Sequence, residues 1–349
     1  MVNIYFVLNA WELSTEIYHP QKLGSGLINH TWKISGPVDY ILQEVNTVVF
    51  KNPKAISDNL EVLSSWLSVN YPGYLFIAPV KLPNGNSTLE YNGKIYRLFP
   101  FIKKSVTINI IDNAKQAYEA ARQFGLFTSV LNDFDQSRLQ YPLPDFHNLK
   151  LRIKQFETAC LNANIKRLQQ VGYQIAQIAE HIDIAITYQK LIENPAMFMR
   201  VIHHDTKISN VLFDKDDNGL CVIDLDTVMP GYFISDVGDM MRTYLSPVNE
   251  EETNFDKISI NLKNFKAIYK GYMSAMNDVL TDTEKQYFIY SGKFLIYMQA
   301  LRFLTDFLNG DVYYQTTYAG QNLNRTKNQL RLLTEYLKAE VEMKKIVFD

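Results

Sequence analysis

The chain has 349 residues, of which 47% are hydrophobic and 21% charged, and it contains 15 glycines and 12 prolines. This composition excludes a disordered, collagen-like or low-complexity chain and is typical of a compact globular protein. The 35 lysines and arginines nearly balance the 37 aspartates and glutamates, so a net charge of -2 gives no general attraction to nucleic acid or to an anionic membrane. We therefore expect neither nucleic acid nor a membrane as a partner.

Cysteine content and the N-terminal segment both bear on the compartment. Cys160 and Cys221 are too few for a disulfide framework and lack the spacing of a metal site. The N-terminal apolar run has no basic start, and no segment reaches the roughly 18 apolar residues of a membrane span. These features favour a soluble protein of the reducing cytoplasm.

The first hundred residues are predicted to form strands around a single helix. Asn52 and Pro53 open this helix, because a capping Asn followed by Pro is a common helix start. Apolar residues spaced by 4, 3 and 4 give the helix one apolar face, made of Ile56, Leu60, Leu63 and Leu67. Strands are predicted over residues 21–35, where two strands flank a glycine turn, over 39–45 and 74–80, and over both arms of a type I′ hairpin at Asn92-Gly93.

From about residue 104 the apolar periodicity becomes helical. Helices are predicted over residues 112–131, 149–160 and 168–182 and again from about 257, with two short strands over 210–213 and 220–223. The predicted fold class is therefore α+β. We divide the chain into a small, mostly β lobe over residues 1–103 and a larger, mostly α lobe over residues 104–349.

One stretch of the larger lobe carries a recognisable chemical pattern. It contains His203-x-Asp205-x-x-x-x-Asn210, followed fourteen residues later by Asp224 at the end of an apolar strand. This spacing is typical of phosphoryl transfer, in which the first Asp accepts the substrate hydroxyl proton while the Asn and the second Asp bind Mg²⁺ through hard oxygen atoms. The bland alternative is that these residues only close turns. The two apolar strands that follow the motif favour the catalytic interpretation.

Several longer segments resemble known kinases. HHDTKISN (203–210) and VIDLDTVMPG (222–231) resemble the aminoglycoside phosphotransferase/choline kinase group of protein-kinase-like small-molecule kinases. DLDTVMPG, ILQEVNTVVFKNP (41–53) and LRFLTDFLNGDVYY (301–314) resemble the N-acetylhexosamine 1-kinases. The resemblance implies a two-lobe protein-kinase-like fold, ATP and Mg²⁺ as cofactors, and phosphorylation of the anomeric hydroxyl of N-acetylglucosamine or N-acetylgalactosamine.

The resemblance also implies roles in catalysis and metal binding. It makes Asp205 the catalytic base, Asn210 and Asp224 the two metal ligands, and Lys207 the loop lysine that helps to neutralise the transferring phosphate.

The nucleotide site of the small lobe is less regular. Gly24 and Gly26 occupy the place of a phosphate-covering loop, but Asn29 stands where a third glycine is expected. The third strand lacks the lysine of protein kinases and carries Gln43 in its place. We expect Gly24, Gly26, Gln43 and Phe101, which follows the predicted hinge, to bind the nucleotide.

Substrate contacts are expected near Asp205. They are Asp226, Thr227, His30 and Arg302. A structural role is also open for three of them. Asp226 would close the loop that follows the metal ligand Asp224, and His30 would be an exposed residue of a hairpin. Arg302 would pair with Asp306, four residues further along the same helix.

The sequence leaves other acceptors open. Homoserine, choline or an aminoglycoside would use the same chemistry, and the acidic Asp226, Asp236 and Asp239 stand against the basic Arg302. A non-catalytic nucleotide-binding module is disfavoured, because the base and both metal ligands of the motif are present. We expect the sugar and ATP as the partners, and a monomer or weak dimer.

Overall fold

The computed structural model describes residues 4–23 and 29–348. The small lobe is built on an antiparallel five-stranded sheet with the order β1-β2-β3-β5-β4. Its strands are β1 His19–Leu23, β2 His30–Ser35, β3 Tyr40–Val45, β4 Leu89–Tyr91 and β5 Lys94–Pro100. Two helices accompany the sheet, α1 Ile4–Asn9 and α2 Pro53–Asn70.

The large lobe is mostly helical and contains two short antiparallel strand pairs. Its helices are α3 Ala114–Val130, α4 Leu149–Asn162, α5 Ile165–Leu168, α6 Gly172–Glu180, α7 Asp183–Ile192, α8 Ile234–Tyr244, α9 Leu262–Met276, α10 Asp282–Gln286, α11 Phe288–Leu308 and α12 Gln321–Phe348. Its strands are β6 Met199–Ile202, β7 Val211–Phe213, β8 Gly219–Val222 and β9 Met229–Tyr232, with β6 paired to β9 and β7 to β8. The predicted two-lobe α+β class is confirmed.

Helix α2 joins the sheet to the large lobe. The side chain of Asn52 caps the helix by accepting a hydrogen bond from the Ala55 N–H, as the sequence predicts. The predicted apolar face is buried and belongs to the same apolar core as the helices of the large lobe. The Asn59 amide group donates to the carbonyl of Val228 at 3.2 Å, so α2 also contacts the segment after Asp224.

Local signals predicted some elements correctly and others incorrectly. Asn92 and Gly93 have φ values of 52° and 70° and form the predicted hairpin. Residues 74–80 form no strand, although Val80 N–H donates to Leu98 O at 2.7 Å. Strand β4 pairs only with residues 94–96 of β5, and Val80 makes a single bond further along β5, so the segment forms no ladder. The predicted helix over 168–182 is shorter in the structure, because α5 ends at Leu168 and α6 spans Gly172–Glu180.

The strand pairs of the large lobe position the chemical motif. The loop 203–210 connects β6 to β7, and Asp224 follows β8 directly. Within residues 4–23 and 29–348, no helix is both long and apolar enough to cross a lipid bilayer.

Candidate active site

Buried side chains fix the position of the loop 203–210, the predicted catalytic loop. The His203 ring is fully buried, packs edge-on against Phe124, and its Nε2 lies 2.8 Å from the Ile223 carbonyl oxygen. The Asp236 carboxylate accepts the backbone N–H groups of His203 and His204 at 2.9 and 2.7 Å. The loop therefore has little freedom to move relative to helix α8.

A second carboxylate of α8, that of Asp239, binds the catalytic loop at Thr206. Asp239 accepts the Thr206 N–H at 2.9 Å and is paired with Arg242. Because Asp236 and Asp239 are buried and bound to the loop, they are not free to attract a cationic substrate.

Asp205 is held at the surface of this fixed loop. Its Oδ2 lies 2.7 Å from Lys207 Nζ, and its backbone carbonyl accepts the Asn210 amide N–H at 2.9 Å. Burial by itself would raise the pKa of the Asp205 carboxyl, but the Lys207 charge and hydrogen bond hold this pKa below its ordinary value. The pKa of Lys207 is raised, because Asp205 and Asp224 outweigh the effect of its own burial. Asp205 is thus ionised at neutral pH, as a base must be.

Asp224 stands in a different electrostatic environment. Its backbone is left-handed, with φ 59° and ψ 54°, which turns the chain sharply after β8. Burial and then the neighbouring charge of Asp226 raise the pKa of Asp224 to about 6, against the opposing charge of Lys207. The site therefore has an excess of negative charge that a cation would neutralise.

The donor set at Asn210 and Asp224 fits Mg²⁺. Asn210 is anchored through its amide nitrogen, which leaves its hard oxygen atom as a donor beside the Asp224 carboxylate. No three His, Cys, Asp or Glu side chains of the described residues lie close enough to hold a metal alone. This pattern suits Mg²⁺, which typically takes one or two protein ligands and completes its shell with substrate phosphates and water.

Asp226 and Thr227 are both buried and already bonded. One oxygen of Asp226 accepts the Asn29 amide N–H at 2.9 Å, and the other lies 2.6 Å from Arg97 Nη1. The Thr227 hydroxyl donates to the His203 carbonyl at 2.6 Å. Their contact with a sugar stays a prediction, and in the structure their visible contacts are with the protein.

A cleft of about 350 Å³ lies between the lobes beside Asn210 and Asp224. Gln43 and Phe101 line it, and the Phe101 ring lies 4.3 Å from Lys33 Nζ; the contact of both residues with a nucleotide stays a prediction. Gly24 and Gly26 lie outside the described residues. Glu61 of α2 forms a surface ion pair with Lys81.

Arg302 lies in a second concavity, a groove of about 540 Å³ between α4, α11 and residues 312–314. Its guanidinium lies 5.2, 5.7 and 5.5 Å from the ring centres of Phe146, Tyr313 and Tyr314. The alternative pairing with Asp306 is wrong. The Asp306 carboxylate instead accepts the backbone N–H groups of residues 312, 313 and 314 at 3.0, 2.8 and 2.9 Å.

The groove reaches the catalytic loop through aromatic contacts. The ring centres of Phe146 and His147 lie 6.4 and 5.3 Å from that of His204, the residue before Asp205. His30 is exposed, lies 3.5 Å from Glu44, and lines neither the cleft nor the groove as the described residues define them.

Sequence reasoning missed several residues of this site. Arg97 and Phe146 carry no motif of their own, and each gains its place only through a partner distant in sequence; Asn29 and Tyr314 belong to segments that the sequence singled out, but their contacts with Asp226 and Arg302 were not predicted. The one available signal was the absence of a lysine at position 43, which required another cation nearby.

Comparison with known proteins agrees with this geometry. The sequence profile of the Phosphotransferase enzyme family matches residues 20–254. The fold is similar to that of an aminoglycoside phosphotransferase from Alicyclobacillus acidocaldarius, with a TM-score of 0.66, 11% identity, and coverage of 99% of this chain and 96% of that one.

Two further solved structures have comparable folds. A spectinomycin phosphotransferase in complex with ADP and spectinomycin gives a TM-score of 0.64 at 13% identity, covering 96% of this chain and 98% of that one. A microcompartment-associated aminopropanol kinase gives 0.64 at 15%, covering 97% of each chain. Since the profile spans well over half of the chain and the folds agree along nearly all of it, the protein belongs to the phosphotransferase enzyme family and is a small-molecule phosphotransferase with a protein-kinase-like fold.

Proposed function

We propose that the protein transfers the γ-phosphoryl group of ATP to the anomeric hydroxyl of an N-acetylhexosamine, N-acetylglucosamine or N-acetylgalactosamine, to give the sugar 1-phosphate. The observation that carries this proposal is the basic, aromatic-lined groove beside the catalytic loop. It supplies hydrogen-bond donors for hydroxyl and acetamido oxygens and rings for the apolar face of a sugar.

The roles of the residues follow from their environments. Asp205, kept ionised by Lys207, orients the acceptor hydroxyl and takes its proton, a task eased by the greater acidity of an anomeric hydroxyl. Lys207 brings positive charge beside the base, where the phosphoryl group is received. Asn210 and Asp224 would hold Mg²⁺, which when bound neutralises charge on the phosphate oxygens.

The charge of the groove bears on the choice of acceptor. Arg152, Lys154 and Arg302 line it, and within the described part of the chain none of them is paired with a carboxylate. Asp306, the one carboxylate among the described residues that line the groove, is occupied by backbone N–H groups. Two similar folds carry the names of kinases for spectinomycin and aminopropanol, and this favours a basic acceptor as the rival proposal. A positively charged groove disfavours a cationic substrate and favours a neutral sugar.

The first test identifies the product. Incubation with ATP, Mg²⁺ and each candidate acceptor is expected to give turnover with an N-acetylhexosamine and little with choline, homoserine or an aminoglycoside. Phosphorus NMR is expected to show a sugar 1-phosphate, and the 1-O-methyl glycoside of the preferred sugar is expected to inhibit competitively without being phosphorylated. A 3-phosphate or 6-phosphate signal would contradict the anomeric assignment.

A second prediction concerns Arg302. Arg302→Ala is expected to raise the KM for the sugar by at least about 10-fold with a change below about twofold in the KM for ATP, since one charged hydrogen-bond donor is worth about 1.5–3 kcal/mol. Arg138→Ala is a matched control, because Arg138 also lies over an aromatic ring, 5.4 Å from Phe134, but outside the groove. Equal increases in both KM values would exclude a specific role in acceptor binding.

A further inference from the structure

The third strand of the small lobe lacks a lysine, yet the structure places a cation directly beside the residue that replaces it. Gln43 of β3 and Arg97 of β5 are directly opposite each other in the antiparallel register. Opposite residues of an antiparallel pair point to the same face of the sheet. The Arg97 guanidinium donates from Nε and Nη2 to the Gln43 side-chain oxygen at 3.0 and 2.8 Å.

We propose that Arg97 is the cation that binds the nucleotide phosphates, with Gln43 and Asp226 as the residues that position it. The proposal rests on the use of ATP by this site, and it assigns a phosphate contact that the sequence left vacant.

The first support is the place of Arg97 in the cleft. It lines the same cleft as Asn210 and Asp224, the two expected metal ligands. Phosphates in kinase sites lie against the metal, so a cation at this position faces them.

The second support is the scarcity of other cations. Among the described residues that line the cleft, Arg97 is the one lysine or arginine. The five residues outside the description at this point, Gly-Ser-Gly-Leu-Ile, bring no positive charge. Lys207, the nearest cation of the large lobe, is paired with Asp205. Among the described residues, Arg97 is therefore the cation that lines the cleft and faces a triphosphate there, while it is also paired with Asp226.

The third observation is that buried polar partners hold the Arg97 guanidinium in place. Arg97 Nη1 lies 2.6 Å from Asp226 Oδ1, with side-chain exposures of 2% and 4%. The Asn29 side chain donates to the second oxygen of Asp226, and its side-chain oxygen accepts the Asn46 backbone N–H at 3.0 Å. Arginine has five N–H donors, of which one on Nε and one on Nη2 bond Gln43, while Nη1 is ion-paired with Asp226, so donors on Nη1 and Nη2 remain for phosphate oxygens. Because Arg97 belongs to the small lobe and Asp226 to the large lobe, the pair also links the two across the cleft.

The test compares ligands with and without phosphate. Adenosine and Mg²⁺-ADP are titrated against the wild type and Arg97→Met by calorimetry. The Kd of ADP is expected to rise at least about 10-fold in the variant, and that of adenosine by less than about twofold, because only ADP carries the groups that the guanidinium binds. Equal changes in both Kd values, or no change in either, would overturn the proposal.

Further variants separate phosphate binding from folding. Arg97→Met leaves the buried Asp226 unpaired, so Arg97→Met/Asp226→Asn removes both charges and is expected to show the same selective loss of ADP affinity. Arg200→Met is the matched control, because it breaks a buried arginine pair with Glu284 outside the cleft and is expected to keep the ratio of the two Kd values.

A relocation of the charge gives the strongest evidence. Gln43→Lys/Arg97→Gln moves the cation to the third strand and is expected to recover ADP affinity to within about fivefold of the wild type. A swap variant that folds but binds ADP as poorly as Arg97→Met would contradict a role as a simple phosphate counter-charge. Wild-type protein that binds ADP no more tightly than adenosine would contradict the use of ATP itself, a failure distinct from that of the assignment of Arg97.

Discussion

Asp205→Asn is expected to lower kcat by at least about 100-fold with little change in the Kd of ATP, the range in which general base catalysis contributes. The amide keeps the size of the side chain but does not accept a proton from the acceptor hydroxyl. Asp205 is suited to the role because Lys207, 2.7 Å away, holds its pKa below the ordinary value. Steady-state kinetics with saturating acceptor measure the loss, and a calorimetric titration measures nucleotide binding.

Two controls accompany this experiment, because Asp205→Asn leaves Lys207 without its ion-pair partner. Asp216→Asn makes the same chemical change in the exposed turn between β7 and β8 and is expected to keep full activity. Thermal unfolding of Asp205→Asn shows whether the unpaired Lys207 disturbs the loop. Near-normal turnover by a folded Asp205→Asn protein would exclude Asp205 as the base.

Asp224→Ala is expected to abolish Mg²⁺-dependent turnover while the fold is retained. Burial and the neighbouring charge of Asp226 raise the pKa of Asp224 to about 6, and among the described residues Asp224 makes no salt bridge. Its removal therefore costs no favourable ion pair, but it removes one of the two oxygen ligands proposed for the metal. Excess EDTA is expected to abolish turnover of the wild type in the same way.

Backbone strain needs a separate control in this case. Asp224 has a left-handed backbone, in which alanine is less favourable than Asp or Asn by roughly 1 kcal/mol. Asp217→Ala introduces the same strain at φ 60° in the turn between β7 and β8, and is expected to remain active. Full activity of Asp224→Ala, or turnover by the wild type in excess EDTA, would rule out the metal site.

The sequence alone determined the features that depend on neighbouring residues. The Asn52 cap and the Asn92-Gly93 hairpin are correct because each is stabilised by atoms within a few residues along the chain. The motif from His203 to Asn210 is equally local, so its spacing indicated a phosphoryl-transfer loop before any packing was known.

Tertiary contacts decided the rest. Residues 74–80 have strand-forming side chains but, within the described part of the chain, make only the Val80–Leu98 backbone bond to the sheet, and strand formation requires a partner whose position the segment does not encode. Arg302 and Asp306 have the spacing of a helical ion pair. In the structure, backbone N–H groups of the loop after α11 bind the Asp306 carboxylate instead.

The charge balance of the site is the clearest case of a property that only the folded structure decides. The sequence shows Gln43 where a lysine is expected, but Arg97 lies fifty-four residues further along and reaches Gln43 only through the register of β3 and β5. Asp226 lies further still and meets Arg97 because the two lobes close on each other. Electrostatic energy depends on the distance between charges in space rather than along the chain. The composition therefore determines the number of charges, but only the fold determines which charges are paired.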